Sequence, residues 1–310
     1  MTKKIPLVII AGATASGKTS LGIQLAKMFD GEIISCDSMQ IYKNLDIGTA
    51  KPTPKEMQKI PHHMIDVAEP WEDFSVERYC TCAHKIIEDV YKRGKLPIMV
   101  GGTGLYADNT VFATNFSAPK RNEKLSNELS KLAEENGNEA LFEVLRQEDP
   151  EAAQALHPND VKRVIRAIET KRVTGKSRSE LDRESRPSES PYDYLYMAID
   201  MDRETLYNRI EERVDIMIEE GLLNEVKTHI LPHLHKMTTA AVAIGYREAV
   251  WYFKGLCTFS EMTELLKRNT RRYAKRQLTW LRKNSEINWL DSDSALSIAA
   301  KLITRKNFTY

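Results

Sequence analysis

The stretch Gly12-Ala13-Thr14-Ala15-Ser16-Gly17-Lys18-Thr19 fits G-x-x-x-x-G-K-[ST], the pattern of a loop that cradles phosphates. Its flanks decide whether the match means anything. Leu7-Val8-Ile9-Ile10 ahead of it is an apolar run of strand length, and Leu21, Ile23, Leu25, Ala26 and Met28 behind it suit the buried face of a helix. Strand, loop and helix therefore stand in the order the motif requires. The glycines let backbone N–H groups turn inward on a phosphate, and the new helix adds its N-terminal partial positive charge. Lys18 supplies a point charge, and the Thr19 hydroxyl is placed to face Mg²⁺. The motif specifies a polyphosphate site without choosing its ligand: it allows ATP, and equally any diphosphate ester.

Composition bounds the rest. The 310 residues allow one large domain or two ordinary ones, and a hydrophobic fraction of 42% is enough for a real core. Net charge is +1, so attraction to a polyanion has to come from a local patch. Cys36, Cys80, Cys82 and Cys257 form no pairing framework; with no leader-like segment they read as reduced thiols, and a cytoplasmic location is expected. Cys80-Thr81-Cys82 lacks a second half with zinc spacing, and His229, His233 and His235 miss the zinc patterns. No apolar run approaches the ~20 residues of a membrane helix, so no membrane partner is expected.

Outward from the loop, Glu32-Ile33-Ile34-Ser35-Cys36 reads as a second strand ending in Asp37-Ser38-Met39-Gln40. Ligands of open α/β sheets sit at the carboxyl ends of strands, which puts Asp37 at the mouth of the same site. A carboxylate there could hold Mg²⁺ or take a proton from an acceptor; it could also simply open a turn. Tyr42 to Pro70 reads as a long, proline-bearing loop, of the kind that carries function. Within it, adjacent His62 and His63 lack a third ligand for a metal. Helical spacing runs from Phe74 to Lys92. Leu96 to Val100 is a third buried strand, closing on Gly101-Gly102-Thr103-Gly104 where an ATP-hydrolysing P-loop protein usually has an Asp for Mg²⁺. Asp200, at the end of Leu195-Tyr196-Met197-Ala198-Ile199, is the other candidate for that Asp.

From about Ala118 to Pro191 charge is dense, strand signals vanish and leucines recur at helical spacing. Pro158-Asn159-Asp160 is expected to cap a helix from Val161 to Thr174, with Lys162, Arg163 and Arg166 clustered on it. A long helix is predicted from Ser260 to Lys283. Its second half carries Lys267, Arg268, Arg271, Arg272, Lys275, Arg276, Arg282 and Lys283 with no acidic residue from Leu265 to Ser285, and with Tyr273 and Trp280 interleaved. A one-signed run with aromatics points to nucleic acid rather than to a solvated helix, which would mix its charges. The expected fold class is α/β: a P-loop NTPase-like core with a mostly parallel sheet flanked by helices, plus a helical insertion domain. The expected boundaries are 1–117 and 193–310 for the core, the latter with the basic helix, and 118–192 for the insertion.

These motifs together resemble those of the tRNA dimethylallyltransferases, also called tRNA isopentenyltransferases, over nearly the whole chain. The likeness rests on Gly12 to Thr19, Asp37 to Tyr42, Asp46 to Pro52, Pro61 to Asp66, Gly101 to Tyr106, Pro158 to Asp160, Gly245-Tyr246-Arg247 and Thr270 to Trp280. Eukaryotic members add a C-terminal zinc finger, so the resemblance is to the bacterial type. It implies transfer of a dimethylallyl group from dimethylallyl diphosphate to the N6 amine of the adenosine 3′ of the anticodon, position 37, in tRNAs reading codons that begin with U. By resemblance Asp37 is the general base, and the phosphate loop with Mg²⁺ holds the diphosphate instead of ATP. Thr103 contacts the bridging region of that diphosphate, and Arg213 stabilises its departing charge. The tRNA-contacting segments implied are Asp37, Ser38, Met39 and Gln40; Thr103; Arg121; Lys162, Arg163, Val164, Ile165 and Arg166; Gly245, Tyr246 and Arg247; and Arg271, Lys275, Arg276 and Gln277. A monomer is expected.

Three positions depart from the family's pattern: Ala13 where proline is common, Glu248 where Gln is usual, and Ala107-Asp108 in place of a more apolar pair. Two other readings stand beside this one. The first is a nucleotide or small-molecule kinase with ATP on the loop and Asp37 at the acceptor, for which Asp200 is the best support. The second is an RNA-binding module with a degenerate nucleotide site.

Overall fold

The computed structural model describes residues 4–114, 122–185 and 189–308. In chain order the elements are β1 (Ile5–Gly12), α1 (Lys18–Met28), β2 (Gly31–Ser35), α2 (Pro54–Met57), β3 (His62–His63), α3 (Val76–Lys92), β4 (Leu96–Gly101) and α4 (Gly104–Val111). There follow α5 (Glu123–Asn136), α6 (Asn138–Glu148), α7 (Pro150–Ala155), α8 (Val161–Thr174) and α9 (Arg178–Ser185). The chain then runs through β5 (Tyr192–Asp200), α10 (Arg203–Glu219), α11 (Leu222–Glu225), α12 (Tyr246–Phe253), α13 (Phe259–Leu281), β6 (Asn288–Asp291) and α14 (Ala295–Lys306).

The six strands form one sheet in the order β3-β2-β4-β1-β5-β6, and every pairing is parallel. β1 lies at the centre, with Ile10 opposite Val100 on one side and Met197 on the other. A central parallel strand is covered on both faces, so its side chains are apolar without alternation; Leu7, Val8, Ile9 and Ile10 are accordingly buried. On one face α1 and α14 close a core of Val8, Ile10, Leu25, Ile98, Met197 and Ile303. α3 lies on the other face, where its Tyr79 hydroxyl donates to the carbonyl of Ser35 at 2.8 Å. A further apolar cluster, including Leu45, Val214, Leu222, Tyr246 and Leu266, packs α10 to α13 over the carboxyl ends of the strands.

The chain divides into two compact units, Met1–Val111 with Pro191–Tyr310, and Phe112–Ser190. The second is all helical, with its own core of Leu129, Leu141, Phe142, Leu145, Val164 and Ile168. Asp160 stands at the N-cap of α8, but its side chain makes no capping bond; it pairs with Arg163 at 3.3 Å.

Three stretches differ from the sequence expectation. The loop from Tyr42 to Pro70 contains α2 and the edge strand β3, which pairs with Ile33 and Ile34. Two residues are too few to show a period of two. His229, His233 and His235 lie in a wide helical turn over Val226–Ile230 and a tight one over Leu231–Lys236, where His233 meets the Trp71 ring at 5.1 Å. β6 and α14 complete the sheet and one core layer. Their signal, Leu296, Ala299, Leu302 and Ile303 at helical spacing, is present in the chain. Among the described residues no helix is long and apolar enough to cross a membrane.

Candidate active site

The phosphate loop leaves β1 at Gly12 and re-enters helix at Lys18. The turn demands a left-handed residue at the helix N-cap, where Gly17 has φ 90°. Lys18 folds back so that its ammonium donates to the carbonyl of Ala13 at 2.7 Å. Burial, and secondarily the Arg213 guanidinium, push its pKa down to about 8, against the partial opposition of Asp37 and Cys36. Arg213, on α10, is likewise depressed by burial. Its one hydrogen bond among the described residues goes to the Thr14 hydroxyl at 3.5 Å, and no carboxylate among them lies within ion-pair distance of it. Two desolvated cations face one loop, and neither forms an ion pair with a carboxylate among the described residues, an arrangement that suits an anion. The Ser16 hydroxyl, buried in the same loop, has no protein partner among the described residues.

Asp37 stands just beyond the end of β2. Its Oδ1 accepts from the backbone N–H of Met39 at 2.8 Å and of Gln40 at 3.3 Å, which makes the turn. Its other oxygen has no hydrogen bond to any described residue. Thus the modest reading of this Asp as a turn-former is true of one oxygen, and the second remains available to a ligand. Thr103 sits at the end of β4. Its N–H donates to the carbonyl of Cys36, and its hydroxyl accepts from the N–H of Ser38 at 3.1 Å. Thr103 therefore pins the Asp37 turn from the neighbouring strand.

Two cavities meet at Arg213. One, of about 380 Å³, is lined by Gly17, Lys18, Thr19, Glu56, Gln58 and Arg213. The other, of about 400 Å³, has Thr14, Asp37, Ser38 and Arg213 at its polar end and Val214, Met217, Val242, Ile244 and Leu266 along an apolar wall. Arg247, Tyr273 and Arg276 stand at the same cavity. The arrangement joins an anion site to an apolar pocket, with a carboxylate at the junction. Thr19 is exposed at the first cavity, and hard oxygen donors beside a phosphate site suit Mg²⁺. Among the described residues no group of three or more His, Cys, Asp or Glu side chains could share a metal ion.

Sequence reasoning missed what holds the second cavity's walls. Glu225 is buried, and its carboxylate accepts from the N–H groups of Asp46, Ile47 and Gly48 at 2.7, 2.8 and 2.9 Å and from the Tyr246 hydroxyl at 2.8 Å. Gln40 donates to the carbonyls of Thr49 and Ala50. Nothing local in the chain marks Glu225, because its three backbone partners lie about 180 positions upstream and Tyr246 lies 21 positions downstream.

Several residues expected at the tRNA face turn inward. Val164 and Ile165 pack in the core of the helical unit. Tyr246 is fully buried against Glu225, and Gln277 is buried between two loops. None of the four presents its side chain to a partner. Arg271 pairs with Glu211 and lies over the Tyr207 ring, while Lys267 pairs with Asp215 at 2.8 Å. The acidic residues missing from the second half of α13 are supplied by α10. Lys162 and Arg163 are exposed on α8, and Arg166 pairs with Glu169 at 3.3 Å. Arg121 lies outside the described residues. Glu248 is wholly buried, accepting from Gly245 N–H, Arg247 and Asn269, so it orients Arg247 and makes no surface of its own. Asp108 accepts from the Trp280 indole at 2.8 Å. Asp200 lines a separate cleft with Tyr207, Lys275, Arg282 and Asp291, away from Lys18.

A family model described as IPP transferase matches residues 40–284. A tRNA dimethylallyltransferase of Carboxydothermus hydrogenoformans is 46% identical over 300 residues, 96% of each chain. Another, of Lachnoclostridium phytofermentans, is 44% identical over 307 residues, covering 97% of this chain and 98% of its own. Among solved structures, the full-length tRNA isopentenylpyrophosphate transferase of Bacillus halodurans superposes with a TM-score of 0.74 at 41% identity, covering 98% of this chain and 97% of that one. A eukaryotic dimethylallyltransferase acting on tRNA superposes with a TM-score of 0.81 at 32% identity, covering 97% of this chain and 78% of the other.

Proposed function

The chain belongs to the tRNA dimethylallyltransferase family, and from that premise we propose that it moves a dimethylallyl group from dimethylallyl diphosphate to N6 of adenosine 37 of tRNA. The tRNAs proposed are those reading codons that begin with U. The observation that carries the proposal is the junction at Arg213, where a pocket holding two desolvated cations, Lys18 and Arg213, opens on an apolar one beside Asp37.

The chemistry follows from the groups. The N6 amine attacks the allylic carbon, the carbon–oxygen bond to diphosphate breaks, and the amine's proton passes to the free oxygen of Asp37. Diphosphate leaves as an anion into the cavity of Lys18 and Arg213, whose fixed charges are strongest where water is excluded. The second cavity's wall, Val214, Met217 and Ile244, excludes water from the allylic carbon, which would otherwise be hydrolysed. Thr103 holds the Asp37 turn in line with that carbon. Mg²⁺, if held by the Thr19 hydroxyl, supplies further neutralisation of the diphosphate. The site of Asp200 in another cleft removes the chief support for a kinase.

The test is to incubate the protein with tRNA, Mg²⁺ and dimethylallyl diphosphate and to analyse the nucleosides by mass. N6-(dimethylallyl)adenosine at position 37 is the expected product. A labelled γ-phosphate passed from ATP to an acceptor, with no prenylated adenosine, would establish the kinase instead.

A further inference from the structure

Helix α13 has three faces with different partners. Lys267 and Arg271 face α10 through Asp215 and Glu211. Arg268, Arg272 and Lys275, spaced i, i+4, i+7, are exposed. Tyr273, Gln277 and Trp280, at the same spacing but on the opposite side, lie against the loop after β4. Tyr273 lines the cavity of Asp37 and Ser38. Trp280 covers Gly104, where a Cβ would come within 2.3 Å of the indole.

Gln277 makes the most unusual contacts of the three. Its Oε1 accepts from the backbone N–H of Thr14, in the phosphate loop, at 2.9 Å. Its Nε2 donates to the carbonyl of Gly102 at 3.0 Å. One loop offers a donor and the other an acceptor, and among side chains of this length a neutral amide answers both. A carboxylate could not donate to Gly102, and an ammonium could not accept from Thr14. Gly102 leaves the room: a Cβ there would stand 2.1 Å from Nε2. The two bonded loops lead to opposite ends of the reaction. Thr14 carries the hydroxyl that receives Arg213, on the side of the leaving group. Gly102 precedes Thr103, which pins the turn of Asp37, on the side of the base.

We infer that Gln277 is a positioning residue for the transfer: its amide sets the spacing between the leaving-group arm and the base arm, from the same helix whose opposite face presents cations to tRNA. This rests on the transfer reaction proposed above.

The test uses Gln277→Met, which keeps the length and loses both bonds, and Gln277→Glu, which keeps the acceptor for Thr14 and loses the donor to Gly102. For Gln277→Met, kcat should fall on the order of 10²-fold while KM for tRNA stays within about twofold, since sub-ångström misplacement acts on turnover and not on RNA affinity. Titration with inorganic diphosphate should show weaker binding in both variants, most in Gln277→Glu, which puts a negative charge beside Thr14 of the phosphate loop. An unchanged kcat with a lowered Tm would mean an ordinary packing bond and overturn the inference. A raised KM for tRNA with unchanged kcat would make Gln277 an RNA contact and overturn it too. If Gln277→Met fails to fold, Gln277→Glu decides by the same readouts. Should the wild type prenylate no tRNA, the transfer reaction fails and Gln277 loses its role in it; weaker diphosphate binding by both variants would then show only that its amide holds the phosphate loop through Thr14.

Discussion

The molecule holds its positive charge in two ways. At the phosphate loop, Lys18 and Arg213 are withdrawn from water, and no carboxylate pairs with Arg213 among the described residues. Along α13, Arg268, Arg272 and Lys275 are exposed, while Lys267 and Arg271 on the flank are tied to α10. Desolvated cations with no ion-pair partner cost folding free energy that an arriving anion offsets, so they favour one ligand at one place. Exposed cations cost little, hold phosphates through counterion release, and tolerate a ligand that slides or varies. A small diphosphate needs the first arrangement and a tRNA the second.

The sharpest break would come at the carboxylate between the two regions. Asp37→Ala should lower turnover by about 10²–10⁴-fold, as loss of a general base does, with tRNA and diphosphate still bound. Unchanged turnover removes Asp37 from the mechanism. Lys18→Ala should cost about 10²–10³-fold in kcat and weaken diphosphate binding, since one preorganised electrostatic donor is lost. Equal binding of dimethylallyl diphosphate by this variant and the wild type would show that the loop holds something else.

The pKa of Lys18 sharpens the comparison further. Its value, lowered from 10.5 to about 8, means that the unfolded chain binds a proton the folded chain lacks between those pH values, so the free protein gains stability as pH rises through that window. Diphosphate favours the charged form. Its affinity should therefore be greatest below pH 8 and decline above it, with proton uptake on binding near pH 8 to 9 measurable by calorimetry in two buffers. The exposed cations of α13 should contribute no such step. The smallest effect is expected from Arg271→Ala, whose partly exposed pair with Glu211 is worth about 0.2–1 kcal/mol of stability, read from a melting curve, with tRNA affinity nearly unchanged.

Whatever is local can be read from the chain. The phosphate loop, strands β1, β2 and β4 and the position of Asp37 are set by contiguous residues and short periods. Partnerships across the fold are not. The one-signed run of α13 reads as free cations because Glu211 and Asp215 lie more than 50 positions away. Resemblance assigns Gln277 to the tRNA along with the basic run around it, although its side chain is buried between the loops of Thr14 and Gly102. Resemblance of the whole segment assigns Val164 and Ile165 to the tRNA, whereas their own apolar spacing puts them in the helical core.

The measurement that tests the account most directly is the salt dependence of two affinities in one variant. Replacing Arg268, Arg272 and Lys275 with Ala should make the slope of log tRNA affinity against log salt shallower by roughly 0.7–0.9 for each phosphate the helix no longer neutralises, while dimethylallyl diphosphate binds as tightly as to the wild type. An unchanged tRNA slope in a folded variant, or a fall in diphosphate affinity equal to that for tRNA, would contradict the division of the molecule's charge into two sites.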